Sequence, residues 1–282
     1  MTVSKWLEAN KWYVAAYCVV IALVYHEIIV DMVADWARDD NYSHGFLVPL
    51  VSGYFLWANR KSILRTTVKP AGWGLVIVLL GVAQLVVGSL ATEYFTMRTS
   101  MIVITGGTII YILGWEPYKR MQLALLYLFL MVPIPAIIYD SMTMPLKLFV
   151  AKISVKGLVL FGYPVLREGN IIMLPNITLE VADACSGLRS LMSLIALSVA
   201  FAFLTQRGIW KKWVLIVSAL PVAVITNILR VFGTGILAKH YGSVAAEGFF
   251  HEFAGFMVFF VAMVIMAVIG WLLKLGEKRN ES

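Results

Sequence analysis

Eight separate stretches of the 282-residue chain are apolar over long runs: 13–33, 45–59, 71–91, 97–115, 121–139, 184–205, 213–237 and 252–273. A helix crossing the hydrocarbon core of a bilayer needs about 20 mostly apolar residues. Only 14% of residues are charged against 61% hydrophobic, and the mean hydropathy is +0.85. A soluble domain carries roughly 25% charged residues and could not cover so much apolar surface. The sequence therefore reads as an all-α polytopic membrane protein with about eight transmembrane helices. No linker, repeat or low-complexity tract breaks residues 1–282, so one integral membrane domain is expected, with the first apolar run a retained anchor.

Orientation follows from the basic residues, which concentrate in cytoplasmic loops. With both termini in the cytoplasm, the inner side collects Lys5 and Lys11, the 60–69 loop, Lys119 and Arg120, the 207–212 loop and Lys274 to Arg279. That placement accounts for the net charge of +7 without a nucleic-acid partner. Residues 141–162 are apolar but carry Lys147, Lys152 and Lys156. Another crossing there would put the loops at 119–120 and 207–212 on opposite sides, so this segment is expected to lie along the outer interface as an amphipathic helix. After it, Ile177, Leu179 and Val181 alternate with Thr178 and Glu180, and Gly169-Asn170 and Pro175-Asn176 are turn signals. A small extracytoplasmic β-hairpin before the sixth span is expected.

That topology puts Cys185 at the outer start of the sixth span, Asn227 and Arg230 near the outer end of the seventh, and His251 where the eighth enters the membrane. A thiol, a guanidinium and an imidazole then share one depth on three consecutive helices, which suits acyl transfer. A helix N-terminus lowers a thiol pKa and favours thiolate, and Arg189, one turn on, or Arg230 would reinforce this. His251 is the natural general base and acid, its unperturbed pKa being about 6.5. Arg230 stays charged and suits an oxyanion or substrate clamp that Asn227 would orient. Asp183 is placed to cap the sixth helix.

Each residue has a plainer reading: Cys185 a packed small hydrophobe, Arg230 a snorkelling cation, His251 an idle interfacial residue. His44, in DDNYSHGF on the outer side, competes for the base or for substrate contact. Glu93 and Arg98 are placed to pair with each other or to line the site. No C-x-x-C or H-x-x-x-H spacing occurs, so neither a metal nor a cofactor is expected.

The block ADACSGLRS, the N-x-x-R of Asn227 to Arg230 and His251 in HEFAG resemble the exosortase/archaeosortase family. NYSHGFLVPL, PIP after the fifth span and EGNIIMLPNITLEV extend the likeness over most of residues 40–260. The resemblance implies a polytopic membrane cysteine transpeptidase with Cys185, Arg230 and His251 as its triad. It implies as substrates the C-terminal sorting signals of exported proteins, such as Pro-Glu-Pro before a transmembrane helix and basic cluster. Cleavage would occur at the outer face of the cytoplasmic membrane, with transfer of the new carboxyl group to a cell-surface acceptor, lipid or polysaccharide. The competing readings are a purely hydrolytic intramembrane cysteine protease and, in another class, an anion transporter or channel lined by Arg189 and Arg230. Against the second, the ionisable groups cluster at one face instead of running through the membrane.

Overall fold

Glycines 74, 81 and 88 recur every seven residues along one helix and decide how its neighbour packs. The computed structural model describes residues 1–175, 177–180, 187–241 and 248–278, giving the backbone alone at 177, 180, 187–190, 239–241, 248–252, 254 and 276–278. It falls into two compact units, Met1–Pro135 and Ala136–Ser282.

The first unit contains α1 (Val3–Ala9), α2 (Lys11–Arg38), α3 (Leu47–Arg65), α4 (Trp73–Ala91), α5 (Tyr94–Ile112) and α6 (Trp115–Tyr127). The three glycines of α4 are buried against α5. A Cβ on Gly81 would lie 2.6 Å from Ile104 Cγ1, and one on Gly74 2.7 Å from the Tyr111 Cα. From α5, a Cβ on Gly107 would lie 2.8 Å from the Val78 N. Lipid tails compete with apolar side chains on equal terms, so close backbone approach through small residues is what holds such a pair. Thr92, left-handed at φ 54°, ends α4, and Glu93 starts α5 by accepting from Phe95 N at 3.1 Å and Thr96 N at 2.6 Å. Tyr25 of α2 reaches Ser100 of α5 at 2.7 Å, and Ser52 of α3 donates to the Ala124 carbonyl of α6 at 2.8 Å.

At Tyr127 the α6 helix tightens into a short 3-10 turn, Leu128–Met131, before Pro133-Ile134-Pro135. Three side chains from the turn between α2 and α3, or beside it, satisfy carbonyls in this segment. Trp36 Nε1 donates to Met131 O at 2.8 Å, Tyr42 to Ile134 O at 3.1 Å, and His44 Nε2 to Leu130 O at 3.1 Å. Gly45 is required there, because a Cβ would collide with the Trp36 indole.

The second unit contains α7 (Ala136–Leu160), a sheet of β1 (Leu166–Glu168), β2 (Ile171–Leu174) and β3 (Ile177–Glu180), then α8 (Gly187–Thr205), α9 (Ile209–Tyr241) and α10 (Gly248–Lys278). The expected hairpin is present as the β2–β3 pair, with Ile172 opposite Leu179 and Leu174 opposite Ile177, and β1 extends it to a three-stranded antiparallel sheet. Gly169, at φ +61°, supplies the positive angle that a two-residue turn needs at its first position. The alternation holds where side chains are described: Leu179 is buried and Thr178 exposed, while Val181 lies outside the described residues. Ile172, Leu174 and Leu179 form one core with Val150 and Ala151 of α7 and Val231 of α9. On α7 Lys152 and Lys156 are exposed and Lys147 is half-buried, opposite a buried row at Val150, Ala151, Ser154 and Leu158.

The span count corrects the expected eight. Among the described residues five helices are long and apolar enough to cross a membrane: Lys11–Arg38, Trp73–Ala91, Tyr94–Ile112, Ile209–Ala238 and Gly255–Leu275. A sixth results if Trp115–Met131 and Ala136–Leu160 form one broken span. The α3 helix turns polar at Asn59, Arg60 and Lys61, and α6 begins with Glu116, Lys119 and Arg120, so neither reaches about 20 apolar residues alone. Among the described residues, Leu191–Thr205 of α8 is a shorter apolar helix. The chain is nevertheless a multi-pass, helical membrane protein.

Candidate functional site

The site is built from α8, α9 and α10. A three-residue connection, Gln206 to Gly208, joins α8 to α9, so the two run antiparallel and share a core of Leu191, Leu194, Ala202, Leu215, Ala219 and Val222. Equal counts of residues from that connection bring Gly187, the first residue of α8, level with Asn227 of α9. Cys185 and Asp183 lie outside the described residues; Cys185 precedes α8 by two positions in sequence. Arg189 lies in the first turn of α8, where only the backbone is described.

On α9, Asn227 is 8% exposed and Arg230 half-buried. Three residues apart, they share one side of the helix. The Asn227 Oδ1 is buried with no hydrogen-bond partner among the described residues. Ile228 and Val231 pack into the core beneath the sheet, and the Ile228 carbonyl accepts from Ser154 of α7 at 3.4 Å. This packing fixes the rotation of α9 and sets Arg230, two residues on from Ile228, on the opposite side of the helix.

The third element is α10. Ser218 Oγ of α9 contacts Met266 Sδ at 3.6 Å, and at the other end the Arg230 guanidinium lies against Gly255: a Cβ there would be 3.2 Å from Nη2 and 3.5 Å from Cζ. The two contacts are nearly equally spaced along both helices, so one antiparallel register carries α10 past α9. His251 lies in the first turn of α10, four residues before Gly255. Four residues make about one turn, so the two positions share a face and stand about 6 Å apart along the axis. The start of α8, the Asn227–Arg230 turn of α9 and the first turns of α10 therefore meet at one end of this three-helix layer. Gly255 was not singled out from sequence; its signal is the fifth position of HEFAG, where a side chain would push on the guanidinium.

Other candidates have structural partners. His44 belongs to the first unit, where it is 7% exposed and bonded to the Leu130 carbonyl. Burial lowers its pKa below the ordinary value, opposed in part by the Leu130 and Asn41 backbone. Arg98 does not form an ion pair with Glu93. It bridges to Asp35 of α2 at 2.6 Å, while Glu93 caps α5, because the cap position aims its carboxylate at the amides of Phe95 and Thr96. Burial raises the Glu93 pKa, but the Thr96 and Phe95 bonds and the nearby Arg98 charge outweigh it, leaving the carboxyl below its ordinary value. Among the described residues no three His, Cys, Asp or Glu side chains gather as metal ligands.

Residues 36–268 match the family model of the transmembrane exosortases. No curated protein and no solved structure matches the chain.

Proposed function

Because the chain belongs to the transmembrane exosortase family, we propose that it is a membrane cysteine transpeptidase that cleaves the C-terminal sorting signals of exported proteins. The observation that carries this reading is the Arg230 guanidinium seated on Gly255, one turn from His251 and level with the start of α8. The catalytic residues of the reading are Cys185, Arg230 and His251. The match runs through most of both compact units, in keeping with one exosortase-like domain over the chain.

The Cys185 thiolate attacks the scissile carbonyl carbon, and the carbonyl electrons move to oxygen. Arg230 holds that oxyanion, its planar fork matching two acceptors better than an ammonium would. Collapse of the intermediate breaks the C–N bond, and His251 protonates the departing amine, leaving a thioester on Cys185. An acceptor nucleophile, from a lipid or polysaccharide at the cell surface, gives its proton to His251 and displaces the thiolate. Water in place of the acceptor makes the enzyme a hydrolase. Asn227 stands beside Arg230 on their shared helix side as a supporting or substrate-contacting side chain, and Arg189 and the α8 dipole favour thiolate. Asp183 serves as the cap of α8. A sorting signal followed by its own transmembrane helix presents its scissile bond at membrane-surface depth, and the site belongs on the outer face of the cytoplasmic membrane with both termini inside.

Cys185→Ala is expected to abolish processing of a co-expressed substrate bearing a sorting signal, with enzyme abundance unchanged. Full processing by that variant would remove Cys185 as the nucleophile. Mass spectrometry of the new C-terminus separates transfer from hydrolysis by the presence of an attached acceptor.

A further inference from the structure

A charged cleft lies in the first unit, where α3 ends and α6 begins. It is open to solvent, has a volume of about 640 Å³ and is lined by exposed Lys61, Arg65 and Arg120, with Ser62 and Thr67 adding hydroxyls and Glu116 the one acid. Its walls are held in place. Val3 N donates to Thr66 O at 2.9 Å, Val68 N to Met1 O at 3.0 Å and Lys69 N to Leu113 O at 3.0 Å. Arg120 reaches across from α6 to the Ser62 hydroxyl of α3. Glu116 lies 3.3 Å from Lys119 on its own helix, and among the described residues no carboxylate pairs with Lys61, Arg65 or Arg120. Three cations held together with one acid leave a positive excess, and an anion between them offsets it.

The depth of the cavity is set by the spans beside it. The backbone bonds of Lys69 and Ala71 to Leu113 and Ile110 tie this corner to the start of α4 and the end of α5, which are ends of two membrane-crossing helices. Aromatic rings mark the same corner: exposed Trp73 stands 5.5 Å from exposed Trp115, which stacks on half-buried Tyr118 at 5.2 Å, and Arg60 sits 4.2 Å over exposed Trp57. Trp and Tyr collect at membrane–water interfaces, where lipid phosphates lie. A cavity of this volume is large enough for a polar headgroup.

We infer that Lys61, Arg65 and Arg120 form a phosphate-binding site at the membrane surface, one that takes the phosphodiester headgroup of an anionic phospholipid or a soluble phosphate of the same chemistry. Guanidinium forks on two helices bracket the phosphate oxygens, Lys61 adds a point charge, and the hydroxyls complete the ligand shell. The occupant would join α3 to α6.

The test uses the full chain, delipidated in neutral detergent, with tryptophan fluorescence as the readout. It is titrated with short-chain phosphatidylglycerol, short-chain phosphatidylcholine and inorganic phosphate. The expected result is saturable binding of phosphatidylglycerol over phosphatidylcholine. It should weaken by more than about tenfold in Lys61→Gln/Arg65→Gln/Arg120→Gln, since each basic residue near an anionic headgroup contributes several-fold. Lys5→Gln/Lys11→Gln/Lys274→Gln removes the same charge from exposed positions outside the cavity and should bind like the parent. Glu116→Gln should bind more tightly, an outcome that loss of folding cannot imitate. Saturable binding of inorganic phosphate, lost in the first variant alone, supports the site with a soluble phosphate as occupant. Equal phosphatidylglycerol affinity in parent and cavity variant, equal weakening in both triple variants, or no preference over phosphatidylcholine together with no phosphate binding, overturns it.

Discussion

Arg230 is the residue on which charge and shape both bear, since its guanidinium lies against Gly255, where a side chain would crowd it. On the proposed reading, Arg230→Lys keeps the charge and loses the fork. Processing of a sorting-signal substrate should then fall by roughly 100-fold or more, as for loss of an oxyanion donor. A pulse-chase rate at equal enzyme abundance measures this, and a parental rate would move the oxyanion role elsewhere. His44 makes the opposite case, an imidazole kept neutral by burial. The unfolded chain takes up that proton near pH 6.5, while the folded chain does so only at lower pH. Its contribution to stability is therefore complete above about pH 6.5 and declines as pH falls below that value. Thermal unfolding in detergent should show His44→Gln losing less Tm than the parent between pH 7.5 and 5. An equal loss in both proteins would show that the His44 ring is not the group responsible. Sequence could place these residues by depth but could not find their partners. Gly255 and Arg230 are 25 positions apart and Asp35 lies 63 before Arg98, separations over which no local pattern reports.

Hydropathy found the five long spans and β-strand alternation found the sheet, because both signals are periodic and local. It overcounted at α3 and α6, where a sliding apolar run joins helix to turn and hides where the backbone breaks. It also passed over the glycine row of α4, whose meaning depends on a neighbouring helix. That row carries a test. Gly74→Ala sets a Cβ against the Tyr111 backbone and 2.9 Å from the Gly107 carbonyl, whereas Gly72→Ala meets nothing within 4 Å. Thermal or denaturant unfolding should show the first destabilised by about 1–3 kcal/mol through overpacking and the second within about 0.5 kcal/mol of the parent. Equal stability of the two variants would mean that α4 and α5 do not pack through this row.

For the molecule as a whole, the proposed topology places the sheet outside and the α3–α6 corner inside. In a Cys18→Ala/Cys185→Ala background, a membrane-impermeant maleimide applied to intact cells should label Thr178→Cys and leave Thr67→Cys untouched until the cells are lysed. The reverse pattern would invert the protein. The candidate site was legible as a depth, drawn from charge bias and spacing, while its helical neighbourhood needed the register of α9 against α10. The α4–α5 pair has a bearing on biogenesis as well. Its two helices are joined by the Thr92-Glu93 turn and held by contacts local in the chain, so little loop entropy opposes their meeting. It can close as soon as Ile112 has left the ribosome, before any of the three helices around Arg230 has been made. The hairpin is then an early finished piece of the protein in the bilayer, one against which α6 can pack as it follows.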